Sequence, residues 1–312
     1  MVWICYSDGM RKPQVARVSG ILGSIVGCIA ALSLTLGCDN GSSYEGPMGE
    51  DPGTDPSTAP DMTPPPGSVL PSLFGTPQQV GTGSSSDRWH KTEVQRDGLS
   101  YLFMANGWGP NFESQSVSWN GTSFTVDSMQ GQQGAGYEPA SYPTMFCGTY
   151  SDSQSGACGL PKALSDLTSL RTGWRWSANG NTGEYNAAYD IWLSNSSDIS
   201  GHSSFLMIWL RDPKGQQPAG QKRVNGISVA NAPGTWNIWA GQAGNKPIVN
   251  YVRLEGQDSA ELEVDVMDFV RDAETRQLTL PGSTVLSVAV GFEIWEGPIT
   301  GLQSQDFYVQ VE

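Results

Sequence analysis

The chain has 312 residues and a net charge of -14, with 31 acidic against 17 basic side chains. No basic patch is available to neutralise phosphates, which excludes nucleic acid as a partner. Charged residues make up only 15% of the chain, while Gly (38) and Trp (11) are plentiful, as suits an extracellular all-β protein with many turns and aromatic contacts.

At the N-terminus, Arg11, Lys12 and Arg17 precede an apolar stretch from about Ile21 to Leu36. That stretch is short for a bilayer, so residues 1–37 read as a secretory signal, with Met10 a tidier start than Met1. Leu34-Thr35-Leu36-Gly37-Cys38 is similar to a bacterial lipoprotein cleavage box, although Thr35 departs from its usual Leu. Cys38 is therefore the expected lipidated residue, placing the protein in the bacterial cell envelope with membrane contact through the lipid. The alternative is plain cleavage and a protein that is secreted and unanchored. Residues 38–86 are rich in Pro, Gly, Ser and Asp, including Pro64-Pro65-Pro66, and read as an extended, solvated linker.

Residues 87–312 suit one all-β domain, and the strong net charge suits a monomer whose copies repel one another. Strands are expected at Tyr101–Met104, Ser123–Val126, Ala188–Leu193, Phe205–Leu210, Trp236–Trp239, Val249–Leu254, Val285–Phe292 and Phe307–Val311. Gly291–Trp295 continues as a short strand. Cys147 and Cys158, in an oxidising compartment, would close a short loop by a disulfide. One helix is expected over about Val266 to Arg276, capped by Asp265. Many strands and a single short helix indicate a two-sheet β-jelly roll.

Strand parity gathers a surface. Leu206, Ile208 and Leu210 form a core set, which leaves Phe205, Met207 and Trp209 on the other face. By the same alternation Asp190 pairs with Trp192, and Glu293 with Trp295. Flat aromatic faces beside polar groups suit pyranose rings, so these strands predict a sugar-binding cleft.

At these residues the sequence resembles glycoside hydrolase family 12, the endo-β-1,4-glucanases and xyloglucanases. The likeness runs in order through Asn106-Gly107-Trp108-Gly109, Ser141-Tyr142-Pro143, Asn186–Leu193, Met207–Leu210, Gln217–Gly220, Trp236–Gly241, Asp265–Phe269 and Gly291–Trp295. The resemblance implies a jelly roll, a retaining mechanism with two Glu residues, no cofactor and a β-1,4-linked polysaccharide as partner. It makes Glu293 the acid/base and Asp190 a supporting carboxylate. It places Asn106, Trp108, Trp192, Met207, Trp209 and Trp295 along the substrate. It also puts the nucleophile at Phe205, which cannot form a glycosyl ester.

Three readings follow. The cleft engages β-1,4-glucans for degradation or capture, with the classical retaining reaction weak or absent. Alternatively, hydrolysis proceeds by a modified route through Asp190 and Glu293. The third is a structural surface protein. With two His in the chain, a His-ligated metal or a Ser-His-Asp site has little support, and no metal is expected. The acidic group Glu255, Asp258, Glu261 and Glu263 reads as a solvated hairpin face.

Overall fold

The computed structural model describes residues 72–195, 202–213 and 215–312. The expected signal, Cys38 and the linker as far as Pro71 lie outside these residues.

The described strands form two sheets. The larger has twelve strands, ten of them along one path: β1 (Gln79–Val80), β3 (Lys91–Arg96), β4 (Leu99–Met104), β7 (Thr144–Tyr150), β17 (Thr284–Gly291), β11 (Ala187–Ser194), β12 (Ser204–Arg211), β15 (Lys246–Arg253), β14 (Ala232–Ala243) and β13 (Gln221–Val229). Short β8 (Ser153–Gln154) pairs with β7, and β9 (Lys162–Ala163) with β17. The smaller sheet runs β16 (Glu261–Asp265), β10 (Leu170–Ser177), β18 (Leu302–Val311), β6 (Ser123–Gly131), β5 (Phe112–Asn120) and β2 (Thr82–Ser85). The expected linker therefore ends before residue 86. Gln79–Val80 pairs with β3 and Thr82–Ser85 with β5, and Gly81, at φ 96°, turns the chain from one sheet to the other.

The expected helix is present as α1 (Val266–Thr275). Its N-cap is Asp265, whose side chain accepts from Met267 N at 2.9 Å. Val266, Phe269, Val270 and Ala273 face the core. Cys147 and Cys158 are joined by a disulfide with a Cα–Cα distance of 5.8 Å.

Two apolar layers result from strand alternation. The first fills the space between the sheets and contains Leu206, Ile208 and Leu210 with Tyr189, Ile191, Phe292 and Ile294. The second lies on the outer face of the larger sheet and contains Trp192, Phe205, Met207, Trp209 and Trp295. The strand parity expected for β11 and β12 is therefore the parity observed. Gly291–Trp295 differs from expectation. Regular pairing stops at Gly291, and beyond it Ile294 bridges to Ser141 and to Tyr185. Those bridges preserve the alternation, so Glu293 and Trp295 still face outward while Phe292 and Ile294 face the core.

The acidic hairpin side chains are engaged by neighbours. Glu261 pairs with Arg175 and Asp258 with Arg211. Glu263 accepts from Tyr308 Oη and from Leu73 N, tying the start of the described chain to the outer face of the smaller sheet.

Candidate active site

Register places the site residues. Along β11 and β12, Trp192 lies opposite Phe205, Asp190 opposite Met207 and Ala188 opposite Trp209. Across the next pair, Phe205 lies opposite Ile248 and Met207 opposite Asn250. These rows make the floor of the outer face, with Glu293 and Trp295 at the β11 entry end.

Glu293 is clamped by one residue. Asn186 Nδ2 donates to Glu293 Oε2, Asn186 Oδ1 accepts from Glu293 N at 2.9 Å, and Asn186 N donates to Glu293 O at 3.0 Å. Glu293 is only 6% exposed. Burial pushes its carboxyl up to about 8, helped by the charge of Asp190 and opposed by the Asn186 hydrogen bond. At neutral pH it carries a proton, as a general acid must.

Asp190 is held at one oxygen. Its Oδ2 accepts from Tyr150 Oη and from Trp192 Nε1, each at 2.9 Å. Its Oδ1 is buried and accepts no hydrogen bond. Burial raises this carboxyl to about 6 against the pull of those two donors.

Phe205 points to the same face, as strand parity predicted. Its ring meets Trp192 edge-on, with centroids 5.6 Å apart, and lies 4.4 Å from His202. His202 lies 4.0 Å from Trp192 and near Lys246 Nζ, and burial, then the Lys246 charge, lowers its pKa to about 3. A neutral imidazole wedged between aromatic rings extends the apolar floor.

The aromatic floor is not open as expected. Trp192, Phe205, Met207, Trp209 and Trp295 are only 2–3% exposed. They pack on one another, with Trp209 and Trp295 6.0 Å apart, and under the segment that follows β12. Ala219 of that segment joins the outer layer, and its carbonyl accepts from Asn250 Nδ2 at 3.0 Å. Gln216 Nε2 donates to Gln133 Oε1 of the Gly131–Ala140 loop at 2.8 Å. A groove of about 310 Å³ remains beside Trp295, lined by Gln132, Gln133, Glu184, Gly215, Gln216 and Glu296.

On the same face, Trp108 is half-buried and packs against that layer. Asn106, at φ 48°, gives its carbonyl to Tyr142 N at 3.0 Å and so fixes the neighbouring loop. Sequence reasoning missed three residues here. Asn186 lay inside the quoted motif, but its partner is 107 positions away. Tyr150 ends a stretch, Thr144–Tyr150, with no polar–apolar alternation to mark it. Asn250 sits under Ala219 with its Oδ1 buried and without a partner.

A two-sheet jelly roll with buried carboxylates on one outer face defines the class of the jelly-roll glycosidases. The chain belongs to glycosyl hydrolase family 12, whose family model matches residues 100–312. Endoglucanase S of Pectobacterium parmentieri is 27% identical over 246 residues, covering 74% of this chain and 88% of that one. A probable xyloglucan-specific endo-β-1,4-glucanase A of Aspergillus terreus is 26% identical over 152 residues, 48% of this chain and 59% of its own length. The solved endoglucanase Cel12A of Rhodothermus marinus superposes with a TM-score of 0.64 at 30% identity, covering 74% of this chain and 99% of that one.

Proposed function

We propose that this protein is secreted, lipid-anchored at Cys38, and engages β-1,4-glucans of the cellulose and xyloglucan class in the groove of its larger sheet. The names of its relatives point to that substrate class. Glu293, which the resemblance makes the acid/base, is buried with its carboxyl raised to about 8, and that supports a role in glucan degradation. The retaining route is closed. By the resemblance Phe205 takes the nucleophile's position, and its ring lies on the outer face, opposite Trp192 and beside the strand that carries Asp190. That one observation carries the reading, because a phenyl ring offers no electron pair to an anomeric carbon.

Affinity electrophoresis tests the binding. Retarded migration is expected in gels cast with hydroxyethylcellulose or xyloglucan and not in gels without polysaccharide. Unretarded migration in every glucan would favour a structural surface protein. Labelling with a palmitate analogue, lost in Cys38→Ala, tests the anchor.

A further inference from the structure

Three acidic side chains share the outer face near Glu293's end of the groove, and their positions separate their chemistry. Glu184, Asn186, Ala188, Asp190 and Trp192 alternate along β11 and the residues leading into it, so all face outward. Glu184 lies opposite Trp295, with Trp295 N donating to its carbonyl at 2.8 Å. It therefore sits on Glu293's own side of the groove, as does Glu296. Asp190 lies four residues beyond Asn186, the clamp of Glu293, an offset of about 13 Å along an extended strand. That offset separates backbone positions, and the two carboxyls still feel each other's charge; an inverting pair is the wider-spaced kind, about 6.5–9.5 Å against 5–5.5 Å or so for a retaining one. The wider spacing leaves room for a water between the base and the sugar.

Asp190 is also oriented as a base. Tyr150 and Trp192 hold Oδ2, and Oδ1 is left as a buried acceptor without a donor. An acceptor stranded in this way is costly unless a ligand or water gives it a proton. Phe205 contributes no bonding atom, and its ring is turned onto Trp192 and His202.

We propose that Asp190 and Glu293 hydrolyse the β-1,4-glucosidic bond with inversion, Asp190 as general base and Glu293 as general acid. The proposal rests on the glucan-groove reading above. In the step, a water oxygen bonds to the anomeric carbon as the glycosidic bond breaks, and the bonding pair leaves with the departing sugar's oxygen. Glu293 protonates that oxygen, and Asp190 Oδ1 takes the proton released by the water. The product is an α-hemiacetal. Proton exchange with solvent then returns Asp190 to carboxylate and Glu293 to acid. Their charge states agree with these roles: Asp190 titrates at about 6 and Glu293 at about 8, so between those values the base is ionised and the acid protonated.

Proton NMR of cellopentaose digested by the full-length protein provides the test. The α-anomer should appear first, ahead of mutarotation. Asp190→Asn and Glu293→Gln should each lower kcat by roughly 100-fold or more. Asp190→Ala with added azide should form an α-glycosyl azide, a product that a merely destabilised variant would not give. Phe205→Glu should shift the first-formed product to the β-anomer. A β-anomer released first by the unmodified protein would overturn the inference, as would full activity in Asp190→Asn. No release from an oligosaccharide that the protein binds would also overturn it while leaving the glucan reading intact. Failure to bind any glucan would remove that reading instead.

Discussion

Glu293 holds its proton because its surroundings suit an uncharged carboxyl. In the unfolded chain it would titrate near 4.5, and in the fold it titrates at about 8. The folded state thus binds the proton more tightly. The group's contribution to stability is complete below about 4.5 and is lost as pH rises through about 8. Asp190 acts in the same direction between 3.8 and about 6. Glu293→Gln stays neutral and keeps an amide oxygen for Asn186 Nδ2. It should match the parent near pH 4 and exceed it at pH 9 by on the order of 5 kcal/mol in urea unfolding. An equal difference at both pH values would show that the ionised carboxylate is not the destabilising species. At this scale the groove is a set of groups with opposite needs. The acid requires burial, and the base requires one oxygen anchored and the other left without a protein donor.

The elements show how the sequence supplies those settings. A single oxygen of Asp265 caps α1 through Met267 N and also accepts from Leu170 N at 3.1 Å, joining the helix to β10. Asp265→Ala removes both contacts, so a loss of about 1–2 kcal/mol is expected, read from the urea midpoint. A loss indistinguishable from zero would mean water replaces both. β11, β12 and α1 were legible because their side-chain periods are plain and their neighbours in the chain are turn formers. β7 was not, since apolar residues occupy both of its faces and alternation does not show, yet it carries the Tyr150 that anchors Asp190. β1 and β2 were hidden in a Gly- and Ser-rich stretch, where pairing with β3 and β5 decides the conformation rather than propensity. The residues of the site were legible as types on a face. Their cover was not, because Ala219 over Asn250 and Gln216 against Gln133 join segments tens of residues apart.

For the molecule as a whole, one pairing determines how the groove is roofed. β12 and β15 form the parallel pair among the described strands of the larger sheet, and the other pairs are antiparallel. The chain leaving β12 must therefore reach β13 at the far edge and at the opposite end of the strands, and Ala219 shows that it crosses the outer face. This crossing strap lies above the rings that a sugar would meet. Gln216→Ala removes its link to the Gly131–Ala140 loop, worth about 1 kcal/mol. Oligosaccharide association should then be faster by about fivefold in stopped-flow tryptophan fluorescence, with the thermal midpoint lowered by no more than about 4 °C. An unchanged rate would mean that the sugar enters without moving the strap.

The same crossing has a consequence for descent and design. The described residues between Arg211 and Gln221 contribute no rung to either sheet. A chain cut or respliced there would keep every strand pairing of the sandwich, while the width of the groove changed freely. Roof and floor can therefore vary independently, and new polymer preferences are open to change through nine residues without disturbing the sheets.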